Sequence, residues 1–341
     1  MSNGIEHIVA AIGKLVEQQD LSEEEAAQTM RQIMEGGATP AQIAAFLTAL
    51  RMKGETIAEV TGCARVMREK ATHIHAPYPN VIDTCGTGGD GAQTFNISTT
   101  AALVVAGAGI PVAKHGNRSV SSRCGSADLL LALGVAIELS AKMAERCLAE
   151  VGITFLFAPL FHSAMKYAIG PRREIGVRTI FNILGPLTNP AGTKHQLIGV
   201  YTRELVEPMA RVLGNLGSTR AFVVHGADGL DEITVTGETH IAALEHGKVS
   251  SYTICPEEFG LQRATLAALS GGDARQNAAI TMAVLTGQRG PHRDIVLLNA
   301  AAALVVAGAA EDLHAGLRLA AESLDSGAAL EKLRAWQRFT P

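Results

Sequence analysis

A short apolar run, Val81-Ile82-Asp83-Thr84, passes through Cys85 into Gly86-Thr87-Gly88-Gly89-Asp90-Gly91, a turn in which four of six residues are glycine. Glycine at the end of a strand lets the backbone turn left-handed or come close to a bound molecule. Successive N–H groups in such a turn form a concavity that suits an anion. A second strand-like run, 110–113, leads into Lys114-His115-Gly116-Asn117-Arg118-Ser119, which supplies countercharge. Two such loops after consecutive strands are what an open α/β sheet presents at the carboxyl ends of its strands. The plainer alternative is a glycine-rich surface turn beside a solvated basic loop.

The turn matches G-x-G-x-x-G, the dinucleotide fingerprint, yet fails its two physical requirements. The fingerprint opens directly into a helix and presents an acidic residue about 20 positions on for the ribose hydroxyls. Between Gly91 and Ala127 there is no Asp or Glu. The turn leads instead into Ala92-Gln93-Thr94-Phe95-Asn96-Ile97-Ser98-Thr99-Thr100, read as a polar lining ahead of an apolar helix at 101–106. Hydroxyls, an amide and then Lys114, His115 and Arg118 suit a ligand carrying several phosphates.

Around this centre the chain alternates. Strand-like runs at 81–84, 110–113, 153–157, 196–201 and 221–225 are separated by segments with apolar residues at helical spacing, which predicts a mostly parallel sheet with helical crossovers. Over 233–254 shorter β-type runs joined at Gly237-Glu238 and Gly247-Lys248 predict an antiparallel addition, and 275–338 returns to alanine-rich helix anchored by Trp336 and Phe339. Ahead of the sheet, Ser22-x-x-Glu25, Thr39-Pro40-x-Gln42 and Thr56-x-x-Glu59 have capping-box form, and Gly54 is a natural helix stop. A small all-helical domain over 1–72, which helices within 165–190 can complete, and a large α/β domain over 73–341 are therefore expected. So small a bundle needs a second surface, and a homodimer contact through these helices is the sharper expectation.

Composition narrows the function classes. The formal net charge of −4 offers no global attraction to nucleic acid or to an anionic membrane. The five cysteines are odd in number, widely spaced and without a C-x-x-C pair, as expected of free thiols in a reducing compartment. No secretory leader and no apolar run near the ~18 residues of a membrane span are recognisable, so a cytoplasmic protein is expected. P-loop, zincin and nucleophile-elbow motifs are absent, and no general acid or base is assigned.

Two further groups can do chemistry. After the strand 221–225 comes Gly226-Ala227-Asp228-Gly229-Leu230-Asp231-Glu232. Adjacent carboxylates in extended chain point to opposite faces, so both serve one site only if the chain bends there or two cations bind. Oxygen ligands beside a phosphate site suit Mg²⁺, which shares its coordination with substrate phosphates; a solvated acidic turn is the alternative. The other group is Gly170-Pro171-Arg172-Arg173, read as an arginine behind a Gly-Pro turn, able to hold a carboxylate in a bidentate pair or else forming an exposed helix face.

Together the glycine turn, the blocks 114–128 and 167–190, and Asp231-Glu232 resemble, in order and over nearly the whole chain, the anthranilate phosphoribosyltransferases. The resemblance implies a nucleoside-phosphorylase-like fold with a small helical domain, a dimer through it, and transfer of a 5-phosphoribosyl group from phosphoribosyl pyrophosphate to anthranilate in tryptophan biosynthesis. It also implies that Gly86, Gly89, Asp90, Thr94, Asn96, Ile97, Ser98, Thr99, Lys114, His115, Gly116, Asn117, Arg118, Ser119, Val120, Ser121, Ser122 and Ser126 contact the donor. Ser98, Asp231 and Glu232 would hold Mg²⁺, as two ions, while Gly86, Asn117 and Arg172 would contact anthranilate. A pyrimidine nucleoside phosphorylase on a similar scaffold, or a non-enzymatic relative that binds nucleic acid, are the competing readings. The first has no evident need for the acidic pair, and the second lacks a broad basic face.

Overall fold

The computed structural model describes residues 3–118 and 123–339. Ser119, Val120, Ser121 and Ser122, expected at the donor site, lie outside the described residues. The chain forms two units, one made of Met1–Thr72 with Pro159–Pro190, the other of His73–Ala158 with Ala191–Pro341.

In the first unit the helices Glu23–Met34, Pro40–Lys53 and Ile57–Lys70 begin where their capping boxes place them. At each, the Ser or Thr hydroxyl accepts an N–H three residues on while the Glu or Gln side chain accepts the cap's own N–H, so the helix's unpaired donors are satisfied from within. Gly54, at φ 91°, ends the second of these helices. Glu59 goes beyond its box: fully buried, it also accepts the Leu21 N–H at 2.9 Å and the Lys53 ammonium at 3.0 Å. Ile43, Phe46, Leu47 and Leu50 form the apolar face foreseen for Pro40–Lys53. Gly170 and Pro171 depart from expectation. They lie inside the helix Lys166–Ile175 rather than in a turn; proline's fixed φ is compatible with a helix, although its missing N–H is lost from the ladder and its ring crowds the carbonyl four residues back.

The second unit carries a seven-stranded sheet: β1 Ile82–Gly86, β2 Val112–Gly116, β3 Ile153–Phe157, β4 His195–Gly199, β5 Arg220–Gly226, β6 Thr239–Glu245 and β7 Lys248–Ile254. Its order is β3-β2-β1-β4-β5-β6-β7, with β1 to β5 parallel and β6 and β7 added antiparallel. The chain builds outward from β1 to β3, then returns to lay β4 on β1's other side. The junction of β1 and β4 is thus the switch point at which open sheets bind ligands.

Four strand boundaries differ from the apolar runs, because strands extend as far as their backbone ladders pair, and β1, β2 and β5 run on to a terminal glycine. The hairpin between β6 and β7 turns at His246-Gly247, both left-handed, as a two-residue turn requires. Gly237-Glu238 ends the connection from β5 to its antiparallel partner β6 rather than joining two strands within 233–254. The helix expected at 101–106 instead spans Ile97–Gly107. Asn96's carbonyl accepts the Thr100 N–H and hydroxyl, both at 3.0 Å, which draws the polar run into the first turn. Among the described residues no helix is long and apolar enough to cross a membrane.

The helices Glu23–Met34 and Ile57–Lys70 meet at Gly62, where an added Cβ would stand 2.2 Å from the Glu23 carbonyl oxygen. Gly62→Ala should therefore force the pair apart at a cost of about 1–3 kcal/mol, read as a lower urea midpoint; an unchanged midpoint would show that the contact yields freely.

Candidate functional site

Four of the five parallel strands end in glycine: Gly86, Gly116, Gly199 and Gly226. Gly86 and Gly199 are paired across β1 and β4. An added Cβ at Gly199 would stand 1.5 Å from the Asp231 carbonyl oxygen, and one at Gly86 would stand 2.2 Å from the Asp231 carboxylate. The bare strand ends are therefore a floor, and the segment after β5 crosses over it. Backbone bonds seal the junction: Gly199's carbonyl accepts the Thr87 N–H at 2.9 Å, and Thr87's hydroxyl accepts the Tyr201 N–H at 3.1 Å.

The crossing chain bends at Asp231-Glu232, so both carboxylates come to the same strand ends. Asp231 accepts the Gly88 N–H at 2.7 Å. Glu232 accepts the Ser98 N–H at 3.1 Å, at the positive end of the helix Ile97–Gly107. These bonds do not offset the confinement of the pair. Burial and then the nearby Asp90 carboxylate raise Asp231's pKa, and burial and then Asp231 raise that of Glu232, with Lys114 opposing. Among the described residues no three His, Cys, Asp or Glu side chains gather as a metal-binding group. The two carboxylates, that of Glu232 held by the Ser98 N–H, make a partial set of oxygen donors.

The remaining expected residues divide into those facing the turn and those that brace it. Gly88, Gly89, Gly91 and Gln93 all take positive φ, between 54° and 76°, which is the conformation the glycines permit. Asp90 accepts the Ala92 N–H at 3.1 Å, and Thr94 bridges to Ser270. Lys114 is buried, its ammonium bonded to the Thr84 carbonyl and 3.3 Å from the Ser98 hydroxyl; its charge sits beneath the site rather than on the basic loop. His115 donates its backbone N–H to Asp83 at 3.1 Å. An added Cβ at Gly116 would meet the Phe155 ring at 2.7 Å. Asn117 accepts the Arg118 N–H at 2.8 Å, and the Arg118 guanidinium pairs with Asp128 at 3.1 Å, 5.8 Å from the Phe157 ring centre. Thr99's hydroxyl donates to that of Ser126 at 3.1 Å. Asp228, also in the acidic stretch, is a turn residue that accepts from Leu230, Thr234 and Thr236.

Arg172 belongs to the first unit. Its guanidinium lies 4.9 Å from the Phe181 ring centre, burial lowers its pKa, and it makes no ion pair among the described residues. Stacked and unpaired, it suits a carboxylate supplied from outside. Gly199 was not foreseen, although its signal is present: the repeated glycine at the carboxyl end of successive parallel strands marks where something must approach.

Residues 78–330 match the glycosyl transferase family a/b domain, and residues 9–71 match its helical bundle domain. The anthranilate phosphoribosyltransferase of Moorella thermoacetica is 64% identical over 96% of this chain and 96% of its own. The chain belongs to the anthranilate phosphoribosyltransferase family. The crystal structure of the Thermus thermophilus anthranilate phosphoribosyltransferase superposes with a TM-score of 0.92 at 45% identity, covering 96% of this chain and 98% of that one. The Saccharomyces cerevisiae anthranilate phosphoribosyltransferase in complex with PRPP and Mg gives 0.88 at 28% identity, covering 97% of both chains. In this family member the a/b match includes 159–190, so the segment bearing Arg172 is continuous in sequence with the sheet but packs in the unit of the helical bundle.

The raised carboxylate pKa values have a definite sign. Between the ordinary carboxylate value of about 4 and the raised folded values, the native state holds more protons than the unfolded one, so stability falls as pH rises through that interval. Asp231→Asn should flatten this slope and raise the melting temperature of the ligand-free protein at pH 7 by a few degrees. A slope identical to that of the parent would contradict the burial of charge at this pair.

Proposed function

We propose that the chain transfers the 5-phosphoribosyl group of phosphoribosyl pyrophosphate to the amino nitrogen of anthranilate, giving N-(5-phosphoribosyl)anthranilate and pyrophosphate, in tryptophan biosynthesis. The observation that carries this reading is the carboxylate pair bent over the Gly86–Gly199 floor, facing a glycine turn. A simple inorganic phosphate site has no use for two confined carboxylates, which disfavours a nucleoside phosphorylase.

The donor set fits Mg²⁺: hard oxygen ligands, too few to fill an octahedron, with anionic charge that the protein leaves largely uncompensated. Ser98, Asp231 and Glu232 would hold it, as two ions. When bound it would neutralise the negative charge that develops on the departing pyrophosphate. The chain's own part is to place groups. Left-handed residues fold the 86–93 turn into a concavity, and its N–H groups not already bonded within the chain would meet donor oxygens as preorganised donors that stabilise charge without reorganising. Lys114 fixes Ser98 and tempers the charge of Glu232 from below. Arg172 would receive the anthranilate carboxylate. An aromatic amine is a weak nucleophile, so holding it near the ribose C1 supplies much of the rate.

A homodimer through the N-terminal helices is supported by the first unit's apolar surface: Val9 and Val16, one heptad apart on the helix Asn3–Val16, are 51% and 59% exposed, and Met52 is 77% exposed. Five free cysteines suit a cytoplasmic setting.

Anthranilate fluorescence should fall when the protein, phosphoribosyl pyrophosphate and Mg²⁺ are combined, and should persist if any one is omitted. Absence of magnesium-dependent turnover would overturn the reading; phosphorolysis of uridine or thymidine would favour the phosphorylase. Arg172→Ala should raise the KM for anthranilate by about 10- to 100-fold, the worth of a charge-assisted pair, and leave that for the donor unchanged. An unchanged anthranilate KM would reject the carboxylate clamp.

A further inference from the structure

Behind the polar run that leads into the helix Ile97–Gly107 lies a chain of amides whose direction is set at both ends by the backbone. The Gly272 N–H donates to Asn277 Oδ1 at 2.7 Å. A backbone N–H is only ever a donor, so Asn277 must turn its Nδ2 the other way, and that Nδ2 donates to Asn96 Oδ1 at 2.9 Å. Asn96 in turn directs its Nδ2 to the Cys124 carbonyl at 3.1 Å, a group that can only accept. The Cys124 thiol also donates to Asn96 Oδ1, at 3.3 Å. Asn277 is 1% exposed and sits in the first turn of the helix Ala274–Leu285.

Close approach makes the arrangement possible. An added Cβ at Gly271 would stand 2.6 Å from the Phe95 nitrogen and 2.7 Å from Asn277 Oδ1, so the strand-like segment carrying Gly271 and Gly272 must be bare for Asn277 to reach Asn96. The consequence falls on Asn96. Among the described residues its Oδ1 accepts from Asn277 and faces the Cys124 thiol, which the Gly125 carbonyl shares, and its Nδ2 donates once, so one amide N–H is available to an outside oxygen. Were the amide reversed, it would present its carbonyl to the same place, and an acceptor facing phosphate or ribose oxygens repels where a donor attracts.

We propose that Asn277 is a positioning residue for phosphoribosyl transfer: it locks the Asn96 amide with its N–H toward the donor and so contributes to donor affinity without touching the donor. This rests on the reading of Asn96 as a donor contact. The same two helices are joined a turn further on by the hydroxyls of Thr100 and Thr281, 3.0 Å apart, which gives an internal control, because that bond braces the helices but does not orient the amide.

The test compares Asn277→Asp, Asn277→Ala and Thr281→Val with the parent, using steady-state kinetics in both substrates and thermal melting. Asn277→Asp keeps the acceptor for the Gly272 N–H but replaces the donor facing Asn96 with an acceptor, so the introduced carboxylate and the Cys124 carbonyl compete for the one Asn96 NH₂ and draw it out of its parent orientation. The expected result is a KM for phosphoribosyl pyrophosphate raised about tenfold or more, as loss of a hydrogen bond to a charged group implies, with the anthranilate KM within about twofold. Asn277→Ala, which removes one of the amide's tethers and leaves those to Cys124, should raise the same constant by a smaller factor and serves if the aspartate variant does not fold. Thr281→Val should lower the melting temperature and leave both constants unchanged. Parent-like donor KM in a folded Asn277 variant would overturn the inference, as would an equal rise for Thr281→Val, which would reduce the effect to bracing. Lack of turnover by the parent itself would instead overturn the functional reading, and this inference with it.

Discussion

The site depends on one contact between chain segments: the main chain at Asp231 lying on Gly199, with its carboxylate against Gly86. Parallel strands normally end in side chains that keep later loops at a distance. Here the two central strands end bare, in register, at the point where the sheet changes direction. A third segment can therefore descend onto them, and the carboxylates it carries arrive within reach of the glycine turn after β1 and the first turn of Ile97–Gly107. Without that floor the same residues would form an acidic turn in solvent.

This placement sets the electrostatics. Confining Asp231 and Glu232 near Asp90 costs stability, since each disfavours ionisation of its neighbours. The protein offsets only part of that cost, through two backbone N–H groups and the buried Lys114 ammonium. The residue of uncompensated charge is what a divalent cation and its polyphosphate partner would relieve, so the site is arranged for an occupant rather than for its own stability. Further round the loop, Arg118 is paired with Asp128.

Much of this was legible in the sequence where local chemistry decides it. The three capping boxes start their helices where S-x-x-E, T-x-x-Q and T-x-x-E stand, because side chain and backbone satisfy each other within four residues. The glycine turn and the acidic pair could be singled out for similar reasons. What escaped depends on distant partners. The bond from Asn277 to Asn96 crosses the fold, and Gly199 matters only because Asp231, 32 positions later, lies on it. Gly170-Pro171 reads as a turn in isolation, and its place within a helix is a tertiary outcome. Lys114 looks like a surface cation beside His115 and Arg118, yet the pleat turns it inward onto Thr84 and Ser98.

The most direct test of the glycine floor is Gly199→Ala. Gly199 is not among the glycines with positive φ, so alanine is conformationally tolerable there, and the three atoms nearest its methyl group all belong to the Asp231 main chain. The measurement is magnesium-dependent loss of anthranilate fluorescence in the presence of phosphoribosyl pyrophosphate, with circular dichroism to confirm the fold. Displacement of the carboxylate by about an ångström should lower turnover by ~10²-fold in a folded protein. Parent-like turnover with parent-like magnesium dependence would contradict the role of the floor.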